Sequence, residues 1–207
     1  MTKDSIMNTW KTSATLGLLA AGLLAGSAAL AQDAAPAAGA TSAQVGQLRL
    51  IDKLDREDSY CLDIMGSGRY VRFDLPMTAH NCKPGLYADE AVTLDGEGRI
   101  VFPAYGACAT VAGLNKRALP MAALVPRECG ENTPFMDADE LQRFDLHADG
   151  RLELRGSGLC VTAGEVSAST FEATHRWRTL YVDQCERTEA ARARWHFVPK
   201  EQIPGAD

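Results

Sequence analysis

Residues Leu94–Cys108, LDGEGRIVFPAYGAC, are written again as Leu146–Cys160, LHADGRLELRGSGLC. At an offset of 52 residues Leu94 matches Leu146, Gly98 matches Gly150 and Arg99 matches Arg151. Ile100 then faces Leu152, Gly106 matches Gly158 and Cys108 matches Cys160. A strand-sized segment written twice, and ended each time by a cysteine, means a domain assembled from repeated units. The cysteines extend the pattern to a third copy. Cys61, Cys82, Cys108, Cys129, Cys160 and Cys185, taken in order as pairs, stand 21, 21 and 25 residues apart. An apolar residue (Met77, Leu124, Leu180) precedes each second cysteine by five positions, and a glycine (Gly66, Gly113, Gly164) follows each first one. Each unit reads as a strand, a cysteine, a glycine turn, a second strand and a second cysteine.

Apolar and polar residues alternate over short runs such as Arg99–Phe102 and Arg151–Leu154, the period of half-buried strands. Gly and Asp cluster between the runs, at Asp95–Gly98 and Asp149–Gly150, as hairpin turns do. Helix-forming composition is confined to a couple of turns at Glu186–Arg194. The expected class is all-β, and threefold repetition predicts a closed barrel.

Outside the repeats the chain reads as an exported protein. Lys3 and Lys11, the short apolar run Leu16–Leu24 and the small-x-small site Ala29–Ala31 make residues 1–31 a secretory signal peptide. The apolar run is too short to span a bilayer, so no membrane span is expected after cleavage. Residues 32–45 are an Ala, Pro and Gly linker without the large apolar residues a core needs. The domain then covers residues 46–199, in repeats of about 46–91, 92–143 and 144–199, with 200–207 as a tail. The charged stretch Asp52–Asp58 is an insertion in the first copy. Losing the signal takes the net charge from −6 to −7, a poor match for nucleic acid or an anionic membrane. Export and an even cysteine count point to disulfides, in the periplasm or outside the cell. With no C-x-x-C or H-x-x-x-H spacing, neither a zinc site nor any cofactor is expected.

Two local sequences carry a family resemblance. Cys61-Leu62-Asp63-Ile64 and Gln142-Arg143-Phe144 resemble the Cys-Leu-Asp-Val and Gln-x-Trp motifs of ricin B-type lectin domains. The resemblance implies a β-trefoil of three disulfide-closed repeats, bridged Cys61–Cys82, Cys108–Cys129 and Cys160–Cys185. The Gln-x-Trp motif is degraded in this chain, to Glu90-Ala91-Val92, Gln142-Arg143-Phe144 and Ala193-Arg194-Trp195. Val92, Phe144 and Trp195 are expected to meet in the core, each stabilising the fold by roughly 1.5–3 kcal/mol through burial.

In the resembling family a sugar lies in a shallow pocket on one repeat. An Asp after the first cysteine takes its hydroxyls, an aromatic near the second cysteine stacks on its face, and an Asn before Gln-x-Trp adds a contact. The Asp is kept only in the first repeat, as Asp63; Thr110 and Thr162 replace it in the others. The aromatic position holds His80, Arg127 and Asp183, and the Asn position holds Asp89, Leu141 and Arg192. The candidate ligand-binding set is therefore Asp63, His80, Asn81 and Asp89. The alternative for Asp63 is a cap on the Gly66–Gly68 turn, and for His80 a solvated loop histidine. Phe171, Trp177 and Tyr181 in the longer third loop offer a second aromatic surface, with Tyr181 expected to be buried.

No catalytic residue is expected. His80, His147, His175 and His196 are scattered, no nucleophile motif is present and every cysteine is assigned to a bridge. Asp63 and Asp89 have no spacing that marks a glycosidase pair. Two function classes remain. One is an exported carbohydrate-binding module; the other is a protein-binding trefoil, an inhibitor or an envelope or adhesin-assembly component, that has lost its sugar site. The partner is accordingly a glycan or a protein outside the cytoplasm.

Overall fold

The computed structural model describes residues 43–206. The signal expected over residues 1–31 and most of the linker after it lie outside the described residues. Twelve strands form one sheet. In chain order they are β1 (Val45–Leu50), β2 (Tyr60–Asp63), β3 (Thr78–Asn81), β4 (Val92–Leu94), β5 (Ile100–Phe102) and β6 (Ala107–Val111). They continue with β7 (Ala122–Glu128), β8 (Phe144–Leu146), β9 (Leu152–Leu154), β10 (Leu159–Ser169), β11 (Arg176–Gln184) and β12 (Trp195–Pro199).

The repeat shows in the pairing. A lead-in strand meets the next strand antiparallel three times: Leu94 opposite Ile100, Leu146 opposite Leu152, and Leu50 opposite Trp195. A hairpin follows each, placing Cys61 opposite His80, Cys108 opposite Arg127 and Cys160 opposite Asp183. The second and third units, β4–β7 and β8–β11, are contiguous in sequence. The first unit takes its lead-in strand from the other end of the chain, β12. The glycine repeated in the opening stretch has a backbone reason, since Gly98 and Gly150 sit at φ +83° and +86°, where a side chain is strained. The arginine after it folds back onto the turn aspartate, Arg99 Nε to Asp95 at 2.7 Å and Arg151 Nε to Asp149 at 2.8 Å.

The cysteines pair as the resemblance implied: Cys61–Cys82, Cys108–Cys129 and Cys160–Cys185, each inside its own repeat. Each closes a loop of about twenty residues and contributes on the order of 3 kcal/mol by restricting the unfolded chain. Val92, Phe144 and Trp195 are all buried in a single apolar core with Leu48, Ile100 and Leu152. The Trp195 indole N–H donates to the Val161 carbonyl at 2.9 Å, so burying its polar atom leaves no donor unpaired.

The third repeat departs from symmetry. Its longer loop is a continuation of the hairpin, and β11 reaches sideways to pair with β3, setting Trp177 opposite His80. Trp177 and Tyr181 are half-buried, whereas Phe171 at the tip is fully exposed. The charged insertion at residues 52–58 clamps this hairpin to the first repeat. Asp55 accepts from Arg178 Nη2 and Ser167 Oγ, both at 2.7 Å, and from the Tyr60 hydroxyl at 2.8 Å. Arg178 itself lies over the Tyr60 ring, 5.0 Å from its centroid. The tail packs back onto the first repeat through buried Ile203 and a Gly85 N–H to Pro204 carbonyl bond of 2.8 Å.

Candidate functional site

Asp63 ends β2, His80 and Asn81 end β3, and Lys83 follows Cys82 directly. Asp89 and Glu90 lie in the turn that leads into β4, a turn closed by Glu90 N–H and Ala91 N–H on the Tyr87 carbonyl. A backbone bond from Ile64 N–H to the Asp89 carbonyl, 3.0 Å, brings the end of β2 against that turn. These elements converge on one buried cluster. The Lys83 ammonium lies 3.0 Å from Asp63 Oδ2, in hydrogen-bond contact with Asp89, and 3.5 Å from Glu90 Oε1. His80 Nδ1 stands 3.8 Å from the same Glu90 oxygen and donates to the Asn81 carbonyl.

Three of the four candidate residues, Asp63, His80 and Asp89, are thus brought together, and all three are buried. Asp63 is 3% exposed and Asp89 2%. The Asp63 carboxylate neither faces solvent nor caps the Gly66–Gly68 turn; it accepts from Lys83. His80 is buried, with the His175 ring edge-on to it at 5.9 Å, so it is not a solvated loop histidine. Asn81 is engaged elsewhere: its amide donates to Asp58 and accepts from the Arg176 backbone, joining the clamp between the first and third repeats.

Lys83 and Glu90 are the members sequence reasoning passed over, and the second repeat explains them. There Gln142 Oε1 accepts from the N–H of Gly130, the residue after the second cysteine, while its amide donates to Thr110. In the first repeat Glu90 Oε2 accepts from the N–H of Lys83, again the residue after the second cysteine. Glu90 has no amide hydrogen to give Asp63, which occupies the place of Thr110. Two carboxylates face each other where the other repeat has a hydrogen bond, and Lys83 supplies the positive charge between them. The visible signal was the Glu at the Gln position of the motif.

The electrostatics follow. Burial pushes Asp63 well above the usual carboxylate range, against the pull of Lys83. Burial likewise pushes Glu90 up to about 7, again opposed by Lys83. Burial alone would lower the Lys83 ammonium, but Asp63 and Glu90 raise it beyond its ordinary value. Burial and Lys83 both lower His80, favouring the neutral ring.

A stability prediction rests on Glu90. Its ordinary value of 4.5 rises to about 7 in the fold. Between those values the folded chain keeps a proton that the unfolded chain has released, so stability falls as pH rises through the window and stays lower above it. Glu90→Gln removes the penalty and restores a donor toward Asp63. At pH 8 it is expected to unfold about 1–3 kcal/mol less readily than the parent, with the gain vanishing near pH 4. Urea titrations at the two pH values check this; equal stability at pH 8 would show that Glu90 carries no buried charge.

On the surface above the cluster, the Tyr87 ring lies 5.7 Å from the Lys83 ammonium. Tyr87 is 50% exposed and borders a shallow cleft of about 490 Å³ shared with Val45, Pro84, Leu86 and Lys200. Phe73 of the first repeat is exposed and packs edge-on to Tyr105 of the second at 5.5 Å. The second repeat instead exposes Leu114, Leu119, Met121 and Phe135.

No protein-family profile and no curated protein matches the chain. Solved structures do. An agglutinin from Abrus precatorius superposes with a TM-score of 0.54 at 18% identity, over 79% of this chain and 51% of that one. The chain thus spans about half the length of that agglutinin. The mdaA-1 domain, solved in solution, superposes at a TM-score of 0.51 and 18% identity over 74% of this chain and 90% of that one. Among the described residues, three disulfide-closed repeats, twelve strands in one sheet and these likenesses agree that the chain folds as a β-trefoil.

Proposed function

We propose that the chain is an exported, non-catalytic carbohydrate-binding module, with its glycan lying on the first repeat. The carrying observation is the half-exposed Tyr87 ring beside the Lys83 ammonium, at the edge of a shallow cleft. A pyranose offers an apolar face to such a ring and hydroxyls to a neighbouring charged donor. Asp63 and Asp89 serve by holding Lys83 in place, His80 walls the cluster beneath, and Asn81 fixes the neighbouring hairpin. The shared fold with an agglutinin supports this reading, as do three disulfides and the absence, among the described residues, of a helix long and apolar enough to cross a membrane.

The clean probe is Tyr87→Ala. An exposed ring contributes little to stability, so the change should move unfolding by no more than about 0.5 kcal/mol. It should also abolish binding on a glycan array. Asp63→Ala serves less well, since it disturbs the buried cluster and any binding together. A second reading has its own observation. The exposed Leu114, Leu119, Met121 and Phe135 on the second repeat suit a protein partner. A wild-type chain silent across a broad array would retire the glycan reading and leave this one.

A further inference from the structure

We propose that Asp63, His80 and Glu90 form a binding site for one divalent metal ion of the class held by mixed imidazole and carboxylate ligands, of which Zn²⁺ is the type. Each offers a ligand atom, and the three atoms lie within 4.8 Å of one another. They come from the ends of two paired strands and from the turn before the next strand, elements tied together by the Cys61–Cys82 bridge. An ion that draws its ligands to the ~2.0–2.2 Å of zinc coordination needs only a small contraction of that cluster.

Two observations point to a cation beyond the one already present. Glu90 is fully buried, and its Oε1 atom, 3.8 Å from His80 Nδ1 and 3.5 Å from the Lys83 ammonium, makes no hydrogen bond. Three acids, Asp63, Asp89 and Glu90, also share the single ammonium of Lys83. Ionising all three in a buried region is costly without a second cation, and a divalent ion supplies it. The second repeat provides the internal contrast, because Gln142 donates to Thr110 there and leaves no oxygen unpaired.

Lys83 is the ion's competitor. Its side chain is 20% exposed, which gives the ammonium a way to withdraw toward Asp89 and solvent as the metal enters. One imidazole and two carboxylates suit Zn²⁺, whereas Ca²⁺ asks for six to eight oxygens. The inference goes beyond glycan binding and does not depend on it.

The test is calorimetric titration of the oxidised, full-length mature protein with ZnCl₂ at pH 7.5 in a non-coordinating buffer, with CaCl₂ as control and thermal melting in parallel. Saturable binding of one Zn²⁺ per chain with a raised melting temperature, and no response to Ca²⁺, is expected. Glu90→Gln and His80→Asn should each weaken that step at least about tenfold, while melting without metal confirms that each variant is folded. Absence of a one-to-one step in the parent overturns the assignment. So does a step of unchanged affinity in either folded variant, which would place the ion elsewhere, such as at His147 and Glu153.

Discussion

Lys83→Met is expected to lower the unfolding free energy by about 3–5 kcal/mol at neutral pH, the usual result of removing one partner from a buried ion pair. Met keeps most of the side-chain length, so the loss is electrostatic: the buried acids Asp63 and Asp89, 3% and 2% exposed, lose their counter-ion. The sign with pH is distinctive. Without the ammonium Asp63, already pushed up by burial, holds its proton to still higher pH in the fold than in the unfolded chain. The variant should therefore recover stability as pH falls toward 5. Urea unfolding of parent and variant at pH 7.5 and 5 measures both effects. A loss below roughly 1 kcal/mol at pH 7.5 would place Lys83 among ordinary solvated surface pairs.

Phe144→Ala should cost a comparable amount, about 3–5 kcal/mol, for a different reason: a large ring leaves the core and the cavity is not refilled. Phe144 begins β8, and its backbone N–H reaches back to the Gly98 carbonyl at 2.8 Å, so the ring is pinned where two repeats meet. Phe135→Ala is the matched control, since that ring is largely exposed, and should stay within about 0.5 kcal/mol. Similar losses for both would mean that the three lead-in residues do not centre the core.

Much of the fold was legible because its physics is local and repeated. Gly98 and Gly150 recur since the turn needs positive φ, Arg99 and Arg151 since each closes onto its turn aspartate, and the cysteines since each hairpin is bridged in the same place. What could not be read is what one repeat does differently through distant partners. The insertion at residues 52–58 showed only charge; that Asp55 meets Arg178, 123 positions away, depends on how the third hairpin leans on the first repeat. Asp63 was ambiguous between ligand contact and turn cap; it does not cap the turn, because Lys83 reaches back across the disulfide to it. Glu90 looked like decay of a Gln motif. A change from amide to carboxylate turns a donor into an acceptor, and that leaves two acids facing each other in a dry site. No spacing rule for metal ligands registers this cluster, since its members come from three separate segments.

The pairing of β1 with β12, Gly46 opposite Pro199 through Leu50 opposite Trp195, also sets an order of assembly. The first strand of the chain waits, with an open edge, for the last to be made. Contacts so distant in sequence form slowly, because the loop between them must be ordered before they can meet. The bridges do not wait: each spans only 21 or 25 residues and needs no partner outside its own hairpin. Oxidation can therefore proceed repeat by repeat as the polypeptide emerges, and the seam between its two ends is the last thing to zip.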